Sequence, residues 1–240
     1  MFSTPSVNST PSVNSMPLVK PRIVSIDGNI GAGKSTLFNY LRDKFANLDN
    51  FVFLEEPVQL WQSICDDNNR NLLELFYADS ECWSFSFQMA AYISRLALLK
   101  ETHEKYPNAT IITERSLNTD RHIFAKMLYE QDKIHIVDYK IYLKWFDTFA
   151  KDYPVEKIIY VNTSPEICYQ RIKSRARQGE DVIPLNYLRS CHKYHEEMVN
   201  LFDKQQVTII DGDDEIQENQ NTLHQWFVQC ENALYEYMHL

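Results

Sequence analysis

The sequence predicts an α/β fold, built around a five-stranded, mainly parallel sheet flanked by helices. From residue 21 onwards, short apolar runs alternate with long stretches of helical periodicity that contain no internal proline. Three of the chain's five glycines fall within the six residues from Gly28 to Gly33, directly after the first apolar run. Strands separated by helices are typical of a doubly wound parallel sheet.

The apolar runs and the helical stretches set the expected elements. We expect strands at 22–26, 51–54, 109–113, 157–161 and 207–211. We expect helices at 34–46, 79–105, 118–150 with one break, 165–177, 184–204 and 215–238. Ligands of such sheets lie beyond the carboxyl ends of the strands, so functional residues are expected in the segments that follow them.

Size and composition limit the possible partners. The chain has 240 residues, 44% of them hydrophobic, and we expect one domain over residues 19–240. The net charge of −9 argues against long nucleic acid as a partner, since binding it needs a basic face. No apolar run approaches the about 20 residues of a membrane span, so no membrane partner is expected. Five scattered cysteines without metal-ligand spacing indicate reduced thiols. Because reduced thiols are typical of cytosolic proteins, a cytoplasmic location is predicted.

The first residues differ in composition from the rest. The sequence STPSVN occurs at 3–8 and again at 9–14. Such a segment cannot bury a core, so residues 1–18 are predicted to be a disordered tail. It has no Arg or Lys before Lys20 and no apolar stretch, which disfavours a mitochondrial presequence and a secretory signal.

The glycine-rich turn after the first strand has the spacing of a phosphate-binding P-loop, G-x-x-x-x-G-K-[ST]. In such a loop, Lys34 neutralises the β- and γ-phosphates of a nucleoside triphosphate and Ser35 ligates Mg²⁺. A glycine turn without a ligand is the alternative. The expected nucleotide contacts are Gly28, Asn29, Ile30, Gly31, Ala32, Gly33, Lys34, Ser35 and Thr36.

A second basic cluster follows the fourth strand. Arg171, Arg175 and Arg177 lie on a predicted helix that runs into a polar loop. One interpretation is a lid that closes over the triphosphate and stabilises charge during its transfer. A solvated helix face is the other, and spacing does not separate them.

Acidic residues follow the second and third strands. Glu56, held by Pro57 after the second strand, is placed to act as a general base on a hydroxyl acceptor, although two acids on a solvated turn is the alternative. After the third strand, Glu114 is a candidate Mg²⁺ ligand and Arg115 a candidate contact of a phosphate or of the reacting oxygen. Asp120 is a candidate partner of Arg95, or merely a favourable residue at a helix start.

The apolar helix between the second and third strands carries a small or polar stripe. Ser84, Gln88, Ala91 and Arg95 are spaced four, three and four residues apart, so they share one face. An amide and a guanidinium seven residues apart suit the edge of a heterocyclic base, and a structural salt bridge is the competing interpretation.

Five segments of the chain together resemble the deoxyribonucleoside kinases, in the branch that contains deoxycytidine and deoxyguanosine kinase. They are GNIGAGKST, EEPVQLW, WSFSFQ with Arg95 seven residues further on, TERSLNTDRHIFA and RARQGEDVIPLNYL. The resemblance implies a P-loop kinase fold with an arginine-rich lid. It also implies a homodimer that transfers the γ-phosphoryl group of ATP, or of another nucleoside triphosphate, to the 5′-hydroxyl of a deoxyribonucleoside with Mg²⁺.

The resemblance also implies roles for single residues. Glu56, Arg115 and Lys34 are the expected catalytic residues, with Glu114 and Ser35 at the metal. Gln88 is expected to pair with the nucleobase, and the loop after the fifth strand is expected near the base of the donor. The remaining implied contacts are Trp61, Tyr77, Phe87, Phe124 and Glu180 for the substrate, and Asp214, Glu215 and Ile216 for the donor.

Two features bear on the acceptor. The resemblance implies that the positions matching Arg95 and Asp120 are apolar in members that accept thymidine. Because both positions are charged in this chain, deoxycytidine and purine deoxynucleosides are expected rather than thymidine. A thymidylate-type nucleoside monophosphate kinase is the nearest alternative, but Glu55 and Glu56 would repel its phosphorylated acceptor. A P-loop switch is a further alternative, and it leaves Gln88, Arg95 and Asp120 without a task.

Overall fold

The computed structural model describes residues 20–175, 182–214 and 220–239. Four predicted site residues, Arg177, Glu180, Glu215 and Ile216, lie outside the described residues, as does the predicted tail at 1–18.

The described part of the chain contains five strands, which are β1 Arg22–Gly28, β2 Phe51–Leu54, β3 Thr110–Glu114, β4 Val155–Asn162 and β5 Val207–Asp211. They form one parallel sheet in the order β2-β3-β1-β4-β5. The five predicted strands are thereby confirmed to within two residues at each end. The sheet order places β1 in the centre, so the loop that follows it lies between the ends of β3 and β4.

The helices cover most of the remaining described chain. They are α1 Lys34–Lys44, α2 Val58–Ser63, α3 Leu72–Ala78, α4 Ser80–Lys105, α5 Leu117–Thr119, α6 Lys126–Glu130, α7 Ile136–Phe149, α8 Pro165–Arg175, α9 Leu185–Val199 and α10 Gln220–His239. A π-helical turn, Asp120–Ala125, joins α5 to α6, and short 3-10 turns occur at Ala150–Asp152 and Lys204–Gln206.

The sequence analysis missed the two short helices α2 and α3. Their six and seven residues are too few for the helical period to stand out. A local signal was present for α3, because Asn71 and Glu74 form a reciprocal capping box at its start. The helix predicted at 184–204 was too long and ends at Val199.

Hydrophobic residues pack on both faces of the sheet. Val24 and Ile26 of β1 lie in a cluster with α1, α8 and α10, whereas Ile23 of the same strand lies in a cluster with α4, α7 and α9. A third cluster joins α2 and α3 to α4 through Trp61, Phe76 and Phe87. In the described parts of the chain, no helix combines the length and apolar character that crossing a bilayer requires.

Candidate active site

The loop between β1 and α1 adopts a backbone that favours glycine. Gly31 has φ 80° and Gly33 has φ 102°, both in the left-handed region. A Cβ atom added to Gly31 would lie 2.6 Å from the carbonyl oxygen of Cys168, so a side chain would also clash with α8. Glycine at these positions therefore lets the loop turn tightly at the start of α1, where N–H groups and the helix dipole favour a phosphate.

Lys34 is buried at the floor of this loop, with a 5% exposed fraction, and its Nζ donates to the carbonyl oxygen of Asn29 at 2.8 Å. Burial and the nearby Arg115 lower the pKa of Lys34 to about 8. A buried ammonium with one carbonyl partner has two remaining donors, which suits a phosphate oxygen.

The candidate site is a cavity, and only some of the predicted loop residues line it. They are Ile30, Gly31, Gly33, Lys34, Ser35 and Thr36. Asn29 instead fixes the loop, because its side chain donates to the carbonyl oxygen of Leu188 at 2.8 Å and accepts from the N–H of Ile30. The carbonyl oxygen of Ala32 accepts from Thr163 at 3.0 Å.

Ser35 and Glu114 meet at the cavity wall, although they are far apart in sequence. The hydroxyl of Ser35 donates to Oε1 of Glu114 at 2.7 Å. A hydroxyl and a carboxylate are oxygen ligands, and Mg²⁺ in nucleotide sites takes one or two of these and completes its shell with phosphates and water. The pair fits such an ion, and no cluster of three or more His, Cys, Asp or Glu side chains suited to a metal occurs in the described chain.

Arg115 occupies a strained position at the end of β3. Its φ is 61°, which is rare for a residue with a side chain, and its N–H donates to the carbonyl oxygen of Ile26 at 3.0 Å. The guanidinium lies 5.1 Å from the centre of the Phe124 ring. Its buried Nε has no hydrogen-bond partner among the described residues.

Glu56 lies between two arginines. Both of its carboxylate oxygens accept from Nη1 of Arg115 at 2.7 Å, and Oε1 also accepts from Nη2 of Arg95 at 3.1 Å. Burial raises the pKa of Glu56, but the two guanidiniums outweigh it and lower the pKa to about 2. Glu56 is therefore ionised at neutral pH.

Arg95 and Asp120 form the ion pair that the sequence suggested. Nε of Arg95 donates to Oδ2 of Asp120 at 2.9 Å, and both residues are at most 4% exposed. Nη1 of Arg95 donates to the carbonyl oxygen of Glu114 at 2.8 Å. Burial raises the pKa of Asp120 to about 6, and the positive charge of Arg95 opposes this. Asp120 lines the cavity, whereas Arg95 lies behind its wall and connects Asp120 to Glu56.

The cavity beyond these charges has aromatic walls and one polar amide. Gln88 is 2% exposed, lines the cavity, and its side chain makes no hydrogen bond to any described residue. The Phe87 ring stacks on Phe76 with centroids 4.7 Å apart, and Trp61 meets Phe87 edge-on at 5.3 Å. The other predicted substrate residues that line the cavity are Tyr77 and Phe124.

The basic cluster lies partly at the site. Arg175 lines the cavity. Arg171 instead donates to the carbonyl oxygens of Ala32, at 3.3 Å, and Asp214, at 2.8 Å, so it joins the P-loop to the segment after β5. That contact places Asp214 near the P-loop.

Sequence reasoning missed several lining residues. Tyr187, near the start of α9, faces the cavity, and burial raises its pKa well above the usual value. Phe76 of α3 was missed together with its helix. The segment PLNYL was noted, but no local pattern marks which of its side chains turns towards the cavity.

Comparison with known proteins gives one consistent answer. The sequence model of a family described as deoxynucleoside kinase matches residues 24–233. Similar proteins include "Thymidine kinase 2, mitochondrial" from Homo sapiens, 36% identical over 180 residues, which cover 74% of this chain and 64% of that protein. They also include "Deoxycytidine kinase" from Homo sapiens, 37% identical over 193 residues (72% of this chain, 73% of that protein). "Deoxyguanosine kinase, mitochondrial" from Xenopus laevis is 34% identical over 191 residues (72% and 71%).

The chain thus spans less than two thirds of the thymidine kinase 2 relative. The match to the family nevertheless runs from β1 to α10 and includes the P-loop, Glu56, the turn after β3 and the helix that carries Gln88. The chain belongs to the deoxynucleoside kinase family.

Proposed function

We propose that this protein transfers the γ-phosphoryl group of ATP to the 5′-hydroxyl of a deoxyribonucleoside, with deoxycytidine or a purine deoxynucleoside as the acceptor rather than thymidine. The observation that carries the acceptor class is the buried Arg95–Asp120 pair, whose Asp120 lines the same cavity as Gln88. The relatives are named for thymidine, deoxycytidine and deoxyguanosine at 36%, 37% and 34% identity, so identity alone does not choose among them.

The amide and the aromatic walls suit a nucleobase. Gln88 offers one donor and one acceptor, which together pair with adjacent polar atoms on a base edge. Phe87 and Phe124 face the same cavity and offer flat surfaces on which a base stacks. Because a ligand that covers the amide also removes its contact with water, the arrangement favours a ligand with complementary polar atoms.

The Arg95–Asp120 pair restricts which base fits. Asp120 places a carboxylate in the wall of the cavity that Gln88 also lines, with Arg95 behind it, whereas a 5-methyl group would need an apolar surface. Deoxycytidine and purine deoxynucleosides have no such methyl group. Their amino groups can donate hydrogen bonds to Asp120, and their ring nitrogens can accept hydrogen bonds from a donor in the cavity wall.

The reacting groups are proposed to act by position and charge. Glu56, beside the 5′-hydroxyl, accepts its proton as the oxygen attacks the γ-phosphorus. Arg115 neutralises charge on the transferred group through the donors that face the cavity. Lys34 binds the β- and γ-phosphates from the opposite side.

Ser35 and Glu114 would hold Mg²⁺, which would neutralise phosphate charge when bound. Arg171, Arg175 and Arg177 are proposed to close over the triphosphate, and Asp214, Glu215 and Ile216 to contact the donor base. Glu180 and Tyr77 are proposed to hold the sugar 3′-hydroxyl.

A homodimer is proposed from an exposed apolar stripe. Val137, Ile141, Trp145 and Phe149 repeat every four residues along α7, and each is at least 40% exposed. The neighbouring helix is α4, because its Tyr92 donates to the carbonyl oxygen of Trp145. The next residue of α4, Ile93, is also exposed. A second copy that packs on this surface about a two-fold axis would bury the apolar side chains of both copies.

The test is ATP- and Mg²⁺-dependent phosphorylation of deoxycytidine, deoxyadenosine, deoxyguanosine, thymidine and dTMP in parallel. Turnover of one or more of the first three, with little turnover of thymidine, is expected. Turnover of thymidine above all three would contradict the proposed acceptor class. Turnover of dTMP alone would indicate a monophosphate kinase, and nucleotide binding without any turnover a switch. The cytoplasmic location stays a prediction, since two of the relatives are named as mitochondrial.

A further inference from the structure

Asp27, near the end of β1, is fully buried and binds two hydroxyl groups. Its Oδ2 accepts from Ser25, and its Oδ1 accepts from Thr119, which is 92 residues away in the sequence. Burial raises the pKa of Asp27, and the two hydroxyl groups oppose this. A carboxylate in this position costs stability, so its presence points to a task other than packing.

Thr119 connects Asp27 to the turn that follows β3. Its hydroxyl oxygen accepts from the N–H of Ser116 at 3.0 Å and lies 3.0 Å from the hydroxyl oxygen of Ser116. In return, Ser116 accepts from the N–H of Thr119 at 3.3 Å. Since Asp27 draws the hydroxyl hydrogen of Thr119 towards itself, the lone pairs of that oxygen stay available to Ser116.

The turn that these bonds fix begins with Arg115. Its left-handed backbone, with φ 61°, persists only where the surroundings hold it. The N–H of Arg115 donates to the carbonyl oxygen of Ile26, which is the neighbour of Asp27 in β1. Two adjacent residues of β1 therefore bind this turn, Ile26 at Arg115 and Asp27 at Thr119. The guanidinium of Arg115 contacts Glu56.

We propose that Asp27 is a positioning residue for phosphoryl transfer, acting through Thr119 and Ser116 to hold Arg115, and with it Glu56, in the reactive arrangement. It touches neither the nucleotide nor the acceptor, since it does not line the cavity. The inference rests on the roles proposed above for Arg115 and Glu56.

The experiment separates the two arms of the Asp27 carboxylate. Thr119→Val removes the hydroxyl that reaches Ser116, and Thr119→Ser keeps it. Ser25→Ala removes the other hydrogen bond of Asp27 but leaves the path to Arg115 intact. For these variants, for Asp27→Ala, which leaves no acceptor for Thr119, and for the Asp27→Ala/Thr119→Val double variant, kcat and KM for both substrates and the melting temperature are measured.

We expect Asp27→Ala and Thr119→Val each to lower kcat about tenfold or more, the usual scale when a catalytic group is misplaced. The double variant should lose no more than the worse single variant, because both changes break one path. Thr119→Ser and Ser25→Ala should keep kcat within about twofold even if they melt earlier, and KM for ATP should stay close to the wild-type value throughout.

Three results would overturn the inference. They are an Asp27→Ala or Thr119→Val enzyme with wild-type kcat, a Ser25→Ala enzyme as impaired as Asp27→Ala, and kcat losses that follow the melting temperature across the set. If Asp27→Ala does not fold, Thr119→Val against Thr119→Ser decides. Glu56→Gln and Arg115→Lys are run in the same assay, and if both keep kcat, the proposed catalytic roles fail independently of Asp27.

Discussion

Arg115 binds Glu56 through a single nitrogen, because Nη1 donates to both carboxylate oxygens at 2.7 Å. This contact opposes the use of Glu56 as a base, because a carboxyl group whose pKa is about 2 takes up a proton poorly. Phosphate oxygens of a bound triphosphate compete with Glu56 for Arg115. We therefore expect the pKa of Glu56 to rise when the donor binds, so that the base becomes active only in the ternary complex.

Replacing Glu56 with Gln tests the base directly. The variant keeps the shape of the side chain but has no proton acceptor of comparable strength, and kcat should fall on the order of 10²-fold or more. Glu55→Gln is the matched control, since Glu55 is exposed and pairs with Arg42 instead. Steady-state kinetics measures both, and a fully active Glu56→Gln enzyme would remove the proposed role.

Replacing Arg95 with Met and Asp120 with Ala together should admit thymidine. The double change makes the corner beside Gln88 apolar and leaves no unpaired charge between these two positions. Turnover of thymidine relative to deoxycytidine measures the effect. If thymidine turnover does not rise in the double variant, the assignment of the pair to base selection is wrong.

Arg95→Met should be less stable than the double variant. It leaves Asp120 buried and uncompensated, which costs about 3–5 kcal/mol in other proteins, whereas Arg95 in the Asp120→Ala variant keeps its contact with Glu56. Denaturant unfolding of Arg95→Met, Asp120→Ala and the double variant gives the comparison. Equal stabilities of all three would show that the buried charges are not coupled.

The affinity for ATP should fall with rising pH because of Lys34. Its pKa is lowered to about 8 in the free protein, and a bound triphosphate stabilises the charged form, so binding takes up a proton above that pH. For a single group with a pKa of about 8, the affinity should fall by about fivefold between pH 8 and pH 9. Calorimetry in two buffers with different ionisation enthalpies measures the proton uptake directly, and its absence at pH 9 would contradict the prediction.

Charges on the exposed stripe of α7 should convert a dimer to monomers. Ile141→Glu combined with Val137→Glu places two carboxylates in the proposed interface, where they would be desolvated without partners. Leu201→Glu is the control, because Leu201 is 65% exposed and lies outside α4 and α7. Sedimentation at several protein concentrations gives the assembly state, and a wild-type protein that is monomeric throughout would disprove the dimer.

The sequence alone determined the strands, most of the helices and the phosphate-binding loop. Apolar runs of strand length indicated all five strands, since a parallel strand buried on both faces is mostly apolar. The spacing from Gly28 to Ser35 determined the P-loop because its contacts are made by one continuous stretch of backbone. These features are local, so they can be recognised from neighbouring residues.

The tertiary structure decided how distant side chains pair. Arg95 reaches Glu56 and Asp120, which are 39 and 25 residues away, and the same spacing suited either a base reader or a salt bridge. The left-handed backbone of Arg115 and its support by Asp27 through Thr119 have no local signature either. Such contacts depend on which strand ends the sheet order brings together, and the order β2-β3-β1-β4-β5 arises only when all the helices pack.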